Sequence, residues 1–229
     1  MARSVGKMLL LAAVYVLAGK LGLRLAFENQ SVSPVWPPTG LALTGLILFG
    51  WRCWPAVMAG AFLVNFLNPV SWVTSCGIAA GNTIEALAAW WLLQRMGFDT
   101  ALERTRDVGG LLLAAAVLST MLSATIGVTS LCLSGAALWS SFGGLWWQWW
   151  LGDAMGDLVI LPAVLTWRTR PGFTPRQWME TAALLVSVAG VSQAVFGGWF
   201  QMAVLSSPYW IFPFLIWADR KSTRLNSSH

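Results

Sequence analysis

The chain has few charged residues, few cysteines and a single histidine, and each of these shortages excludes a class of function. Charged side chains make up 10% of its 229 residues, whereas about a quarter is usual in a soluble domain. Three cysteines and one histidine leave no cluster with metal-site spacing and no nucleophile beside a histidine base. A glycine-rich phosphate-binding loop is also missing. The sequence therefore predicts no catalytic residue, no metal and no cofactor, and a chain that is not an enzyme.

Long hydrophobic stretches take up most of the chain instead. Hydrophobic residues make up 57% of it, and long apolar stretches account for almost the whole sequence. Most of the 16 tryptophans stand near the ends of these stretches, where an indole ring contacts both hydrocarbon and lipid headgroups. The predicted fold class is an all-α, polytopic transmembrane helix bundle of about eight helices, surrounded by a lipid bilayer.

Lys and Arg occur mainly in alternate gaps between the apolar stretches. Nine basic residues follow this rule: Arg3, Lys7, Arg52, Arg95, Arg104, Arg106, Arg168, Arg170 and Arg176. The intervening gaps, 28–38, 68–71, 129–144 and 200–207, contain no Lys or Arg. Because cytoplasmic loops of membrane proteins carry the basic excess, the pattern predicts a multi-pass protein of the bacterial inner membrane with a cytoplasmic N-terminus. One to three basic residues per loop indicate topology and not nucleic-acid binding.

Eight helices are predicted from the apolar stretches. They run from about Met8 to Phe27, Pro38 to Trp51, Pro55 to Leu67, Trp72 to Leu93, Gly109 to Thr129, Leu145 to Trp167, Trp178 to Trp199, and from Met202 onward through Pro208 and Pro213. The second and third are short for a hydrocarbon core of about 30 Å. We expect them to cross fully, because a hairpin that stopped partway would place Arg52 inside the membrane.

The eighth predicted helix stops early, at Ala218. The polar segment 219–229 that follows has no hydrophobic pattern and resembles read-through from a cloning adaptor. We expect residues 1–218 to form a single integral-membrane domain and the tail to be unstructured and foreign to the natural protein.

Charged and amide side chains inside the predicted helices carry most of the functional information. Three pairs are spaced three or four residues apart and so share a helix face: Lys20 with Arg24, Asn82 with Glu85, and Asp153 with Asp157. Asn65 on the third helix is a further candidate member of the group. Each charge at a helix centre costs at least about 2.5 to 3.5 kcal/mol, so these groups should face one another.

Two interpretations of this buried group stay open. In the structural one, Lys20 or Arg24 neutralises Glu85 and the two aspartates and holds the helices together. In the functional one, the group lines a polar, outward-open pocket for a ligand or a protein partner. Three acids exceed one or two bases, so one acid would then be protonated or would bind a cation.

Two local motifs lie beside these charges. Gly152 and Gly156 are four residues apart, a spacing that allows close helix approach. An intramembrane aspartyl protease is disfavoured, because Asp153 and Asp157 lie on one helix turn and do not face each other across a site. The run Trp36-Pro37-Pro38-Thr39 predicts a rigid corner. We expect Thr39 to cap the following helix, and an exposed Trp36 to suit a binding lip.

Taken in order, these motifs resemble the first type of membrane-associated sensor domain. The resemblance covers nearly all of Met8 to Ala218, and the residues that carry it are Val35-Trp36-Pro37-Pro38-Thr39-Gly40, the Trp54-Pro55 turn, the helix with Asn65, Gly81-Asn82-x-x-Glu85-Ala86, and Trp150-x-Gly152-Asp153-Ala154-x-Gly156 with Pro162. It implies an eight-helix bacterial membrane domain, usually the input module of histidine kinases, diguanylate cyclases or phosphodiesterases. In one system such a domain pairs with a transporter-like receptor. The resemblance transfers no catalytic residue.

The predicted function is therefore a sensory input domain whose output domain is missing from this chain. The stimulus would be a small-molecule ligand or a membrane-protein partner, perceived near the buried polar group, and the full-length protein would be a homodimer. The alternative is a small membrane transporter, or a transporter's substrate-binding subunit, that uses the buried acids for ion coupling.

The charge pattern makes a direct topological prediction. Single cysteines replacing Gln30 and Arg104, in a chain without the three native cysteines, should lie on opposite sides of the membrane. An impermeant maleimide should therefore label position 30 in intact spheroplasts and position 104 only after permeabilisation. Equal labelling of the two positions in intact spheroplasts would contradict the predicted topology.

Overall fold

The computed structural model describes residues 2–23, 35–68 and 70–168, together with Thr174 and Met179. Within these residues every regular element is helical. The chain divides into two compact units, Met1–Thr169 and Arg170–His229, and the first contains all of the helices discussed below. The predicted seventh and eighth helices and the tail 219–229 lie outside the described residues, apart from Met179, and so does Arg24.

Six helices are found in the described part of the first unit. They are α1 (Ala2–Leu23), α2 (Pro37–Phe49), α3 (Trp54–Phe66), α4 (Trp72–Arg95), α5 (Thr105–Leu133) and α6 (Phe142–Arg168). Short 3₁₀ turns, Trp51–Cys53 and Trp139–Ser141, precede α3 and α6. The first part of α5 contains a π-helical segment, Leu111–Ser119. These six helices correspond one to one with the first six predicted spans.

Local sequence explains where several helices begin and end. Pro37 and Pro38 occupy the first turn of α2, where a missing N–H costs nothing. Gly50, with φ of 93°, ends α2 in a conformation that glycine tolerates best. Ser71 caps α4 by accepting the backbone N–H of Thr74 at 3.1 Å. The predicted Thr39 cap is wrong, because α2 begins two residues earlier and Thr39 lies within its first turn.

Among the described residues, four helical segments are long and apolar enough to cross a membrane. They are Ser4–Leu23, Trp72–Arg95, Thr105–Leu133 and Trp139–Arg168. In contrast, α2 and α3 have 13 residues each and are therefore only about 20 Å long. The expected full crossing of α2 and α3 is not confirmed, because the turn at Gly50 and the flanking prolines limit both helices. Arg52, between them, is exposed.

Small residues let the helices of this unit pack closely. Helix α1 packs on α2 and α3, α4 packs on α3 and α5, and α6 packs on α2 and α5. A side chain at Gly60 would collide with Tyr15, and one at Gly127 would collide with the indole of Trp149. Since lipid tails are as apolar as the helices, such close van der Waals packing is a principal force that associates them.

The closest approach joins α6 to the beginning of α2. A Cβ at Gly156 would collide with the backbone carbonyl of Trp36, and one at Gly40 would collide with the carbonyl of Gly156. Next to this contact, the backbone N–H of Trp36 donates to the carbonyl of Gly152 at 2.9 Å. The predicted role in close helix approach is confirmed for Gly156, while Gly152 takes part through its backbone carbonyl.

Replacing Gly156 should therefore destabilise the unit. Gly156→Ala forces the backbones of α6 and α2 apart, and overpacking of this kind costs about 1 to 3 kcal/mol. Gly144→Ala is the matched control, because Gly144 lies on the same helix with open space around its Cα. Thermal unfolding in detergent micelles should show a lower midpoint for Gly156→Ala and an unchanged one for the control. Equal midpoints would contradict the described contact.

Candidate functional site

Three acidic side chains meet inside the unit, and we call them the acid cluster: Glu85, Asp153 and Asp157. Glu85 is on α4 and both aspartates are on α6. Their exposed fractions are 1%, 1% and 0%. Glu85 is near enough to both aspartates to interact with each electrostatically. The structure thus brings together the three acids that the sequence places on two different helices.

A chain of hydrogen bonds centred on Asn82 lies beside the acid cluster. The Nε1–H of Trp149 donates to the Ser123 hydroxyl at 3.1 Å, and that hydroxyl donates to Asn82 Oδ1 at 2.8 Å. The Asn82 amide then donates to the Tyr15 hydroxyl at 3.0 Å. Four helices are linked in this way, since these residues belong to α6, α5, α4 and α1.

The sequence interpretation included Asn82 but missed its partners. Tyr15, Ser123 and Trp149 are all buried. A signal was available for Tyr15, because it is one of only two tyrosines in the chain and stands in an apolar stretch. A buried Tyr hydroxyl needs a hydrogen-bond partner. Ser123 gives no comparable signal, because serine is common in membrane helices at packing positions.

The start of α2 completes the site. The Thr39 hydroxyl donates to Asp153 Oδ1 at 2.8 Å. Pro37 and Pro38 begin the helix and thereby fix the position of Thr39 in its first turn. Thr39 is therefore a hydrogen-bond partner of the acid cluster and not the helix cap that the sequence suggested.

Trp36 is placed differently from the expectation. It was expected to be exposed as a binding lip, but only 8% of it is exposed. The reason is that Gly22 on α1 leaves room for the indole, and Gly156 on α6 leaves room for the backbone carbonyl of Trp36. Its indole Nε1 has no hydrogen-bond partner among the described residues.

Two predicted members of the site lie apart from the acid cluster. Asn65 is buried on α3, where its amide donates to the carbonyl of Ala61 on the same helix at 2.9 Å. Lys20 is exposed. Lys20 follows the buried Tyr15 by five residues, which is about 140° around an α-helix, so the two side chains leave different faces. Arg24 lies outside the described residues.

In the structural interpretation, Lys20 or Arg24 neutralises the acids. For Lys20 this interpretation is wrong. Across residues 2–23, 35–68 and 70–168, the ion pairs join Arg104 to Asp99 at 3.2 Å and to Asp107 at 2.8 Å, in the connector before α5 and the first turn of that helix. In the same residues, no hydrogen-bond partner reaches Glu85 Oε1, Asp153 Oδ2 or either oxygen of Asp157. The acid cluster thus has more acceptors than the described residues satisfy. Those residues also include no group of three or more His, Cys, Asp or Glu placed to hold a metal ion.

The hydrogen-bond chain makes a prediction about stability. Ser123→Ala removes the bonds to Asn82 and Trp149 together and leaves buried polar atoms unpaired, at a cost of about 1 to 3 kcal/mol. Ser130→Ala is the matched control on α5, because the Ser130 hydroxyl donates to the Ile126 carbonyl of its own helix. Thermal unfolding should place Ser123→Ala well below the control. If both variants unfold at the wild-type temperature, the chain of bonds does not hold the helices.

Comparison with known proteins assigns the chain to a family. No curated protein and no solved structure matches it. A family model does match, that of MASE1, and the match covers residues 7–219. This range includes all three members of the acid cluster, the Asn82 chain and the proline corner before α2. Since the match spans almost the whole sequence, the chain belongs to the MASE1 family of membrane sensory domains.

Proposed function

We propose that this chain is the membrane-embedded sensory input domain of a bacterial signal-transduction protein of the histidine kinase or cyclic-di-GMP enzyme type. The observation that carries the proposal is the MASE1 match over residues 7–219. In this proposal the domain is non-catalytic and lies in the inner membrane with a cytoplasmic N-terminus. It acts on an output module carried by the full-length protein.

The position of the polar residues supports a sensory role. Hydrogen bonds and close contacts connect the acid cluster and the Asn82 chain to α1, α2, α4, α5 and α6. A stimulus that changes the charge or the partners of Asp153 acts on Thr39 and hence on the position of α2. Such a stimulus shifts the domain between two helix arrangements only if it binds them with different affinities.

In this proposal the signal leaves through the last helix of the domain and passes across a homodimer to the output modules. Its source is a small molecule or a membrane-protein partner, perceived at Trp36, Asn82 and the acid cluster. Because these side chains are buried, a small stimulus that reaches them through the bundle fits better than a large ligand that requires an open cleft.

A chimeric receptor tests the proposal. Residues 1–218 are fused to a diguanylate cyclase, and cyclic-di-GMP is measured in cells. Asp157→Asn removes one charge without changing the shape of the side chain. We expect it to change the output by about fivefold or more, the lower end of ordinary coupling between sites, while the chimera still inserts in the membrane.

Asp99→Asn is the control, because Asp99 lies in the exposed connector and outside the acid cluster. Its output should equal that of the wild type. An output that stays constant in Asp157→Asn, together with gradient-dependent solute uptake by vesicles containing this domain alone, would favour the transporter alternative and refute the sensory role.

A further inference from the structure

The charge of the acid cluster is not balanced by any basic side chain on the described helices. Two of these helices, α2 and α3, contain no Asp, Glu, Lys, Arg or His, and neither does the stretch 108–133 of α5. From α1, the group that faces the cluster is Tyr15, and from α4 and α6 it is the acids themselves. A carboxylate at the centre of a membrane helix costs at least about 2.5 kcal/mol, so three of them require a counter-charge or a proton.

The described basic residues are engaged or exposed elsewhere. Lys7 lies over the ring of Phe49, with its Nζ 5.3 Å from the ring centroid. The guanidinium of Arg95 lies 4.8 Å from the ring centroid of Trp91. Lys20 and Arg168 are exposed. Each of these residues is near a helix end, whereas the acids are in the middle of α4 and α6.

A second observation is independent of the acids and points to an occupant at the same place. The indole Nε1–H of Trp36 is more than nine-tenths buried and has no partner in the described chain. Trp36 is next to the cluster, because its backbone N–H donates to the carbonyl of Gly152, the residue before Asp153. Its indole lies toward the Tyr15 hydroxyl, but no hydrogen bond of acceptable geometry joins the two groups. An unpaired donor beside four unpaired acceptor atoms suits a water molecule, which accepts from the indole and donates to a carboxylate oxygen.

We propose that Glu85, Asp153 and Asp157 form a proton-binding centre, whose occupancy controls the separation of Glu85 on α4 from the two aspartates on α6. Occupancy forms an O–H bond on one carboxylate oxygen and takes one proton from water. A protonated carboxyl donates to a neighbouring carboxylate, whereas two ionised ones repel each other. Loss of the proton therefore drives Glu85 and the two aspartates apart and strains the Thr39–Asp153 bond to α2. The proton as physiological stimulus is the one part of this inference that rests on the proposed sensory function.

Infrared spectroscopy of the purified chain in nanodiscs tests the proton directly. Protonated carboxyl groups absorb at a carbonyl frequency that ionised carboxylates lack. We expect the folded wild type to show this band at neutral pH and to lose it at alkaline pH. Asp157→Asn and Glu85→Gln should each change the band, and the triple variant with Asp153→Asn should abolish it. Asp99→Asn, in the exposed connector, should leave it unchanged.

Stability as a function of pH gives a second, independent readout. A proton that the folded state holds and the unfolded state releases stabilises the fold less as the pH rises. The unfolding equilibrium constant of the wild type should therefore increase by up to about tenfold per pH unit for each proton held. Asp157→Asn and Glu85→Gln should flatten this dependence, whereas Asp99→Asn should retain the wild-type slope.

Three results would overturn the inference. The first is a folded wild type without the protonated-carboxyl band at neutral pH. The second is a band that persists in the triple variant. The third is a band that disappears when Na⁺ replaces a bulky organic cation at constant ionic strength, which would identify a metal cation as the occupant.

The infrared test of the proton centre and the chimera test of the sensory function can fail independently of each other. One possible pattern is a protonated-carboxyl band as expected, together with a chimera output that changes neither with pH nor in Asp157→Asn. This pattern supports the proton centre and counts against the sensory role. The reverse pattern, a responsive chimera without the band, refutes the proton centre and leaves the sensory role intact.

Discussion

The cost of burying charge in an apolar bundle is the constraint on which the rest of this structure depends. Glu85, Asp153 and Asp157 are almost fully enclosed by apolar helices, where isolated carboxylates are strongly disfavoured. Neutral partners among the described residues meet this constraint only in part, because both oxygens of Asp157 have no hydrogen-bond partner there. Thr39 donates to Asp153, and the Asn82 chain lies beside Glu85. In the connector before α5 and the first turn of that helix, by contrast, Asp99 and Asp107 pair with Arg104 in the ordinary way.

Glycine packing makes this polar arrangement geometrically feasible. The contact of Gly40 with Gly156 brings the first turn of α2 against α6, and only this approach lets the short Thr39 side chain reach Asp153. In the same way, Gly127 admits the Trp149 indole, whose Nε1–H donates to Ser123. Packing and hydrogen bonding are therefore coupled, and a change in the charge of the acids acts directly on the contact between helices.

The sequence predicted much of the fold and less of the site. Hydrophobic runs gave six helices that the structure describes, because a membrane helix requires an uninterrupted apolar stretch. Their lengths were less certain: α2 was expected to reach Trp51, but Gly50 ends it at Phe49. The acids were identified as a group, since charges in apolar stretches stand out. The neighbouring residues Tyr15 and Ser123 were not identified. A hydroxyl group in a membrane helix can find a hydrogen-bond partner in many ways, often at a carbonyl of its own helix.

By itself, the sequence determined that this is a helical membrane protein with acids in its apolar stretches, because both conclusions depend on composition and spacing along the chain. Only the tertiary structure decided which groups meet. It turned Lys20 outward, enclosed Trp36, and gave Thr39 to Asp153 in place of a helix cap. The physical reason is that the rotation of one helix against another is set by the sum of many close contacts between glycines and bulky side chains. No single residue pattern encodes that sum.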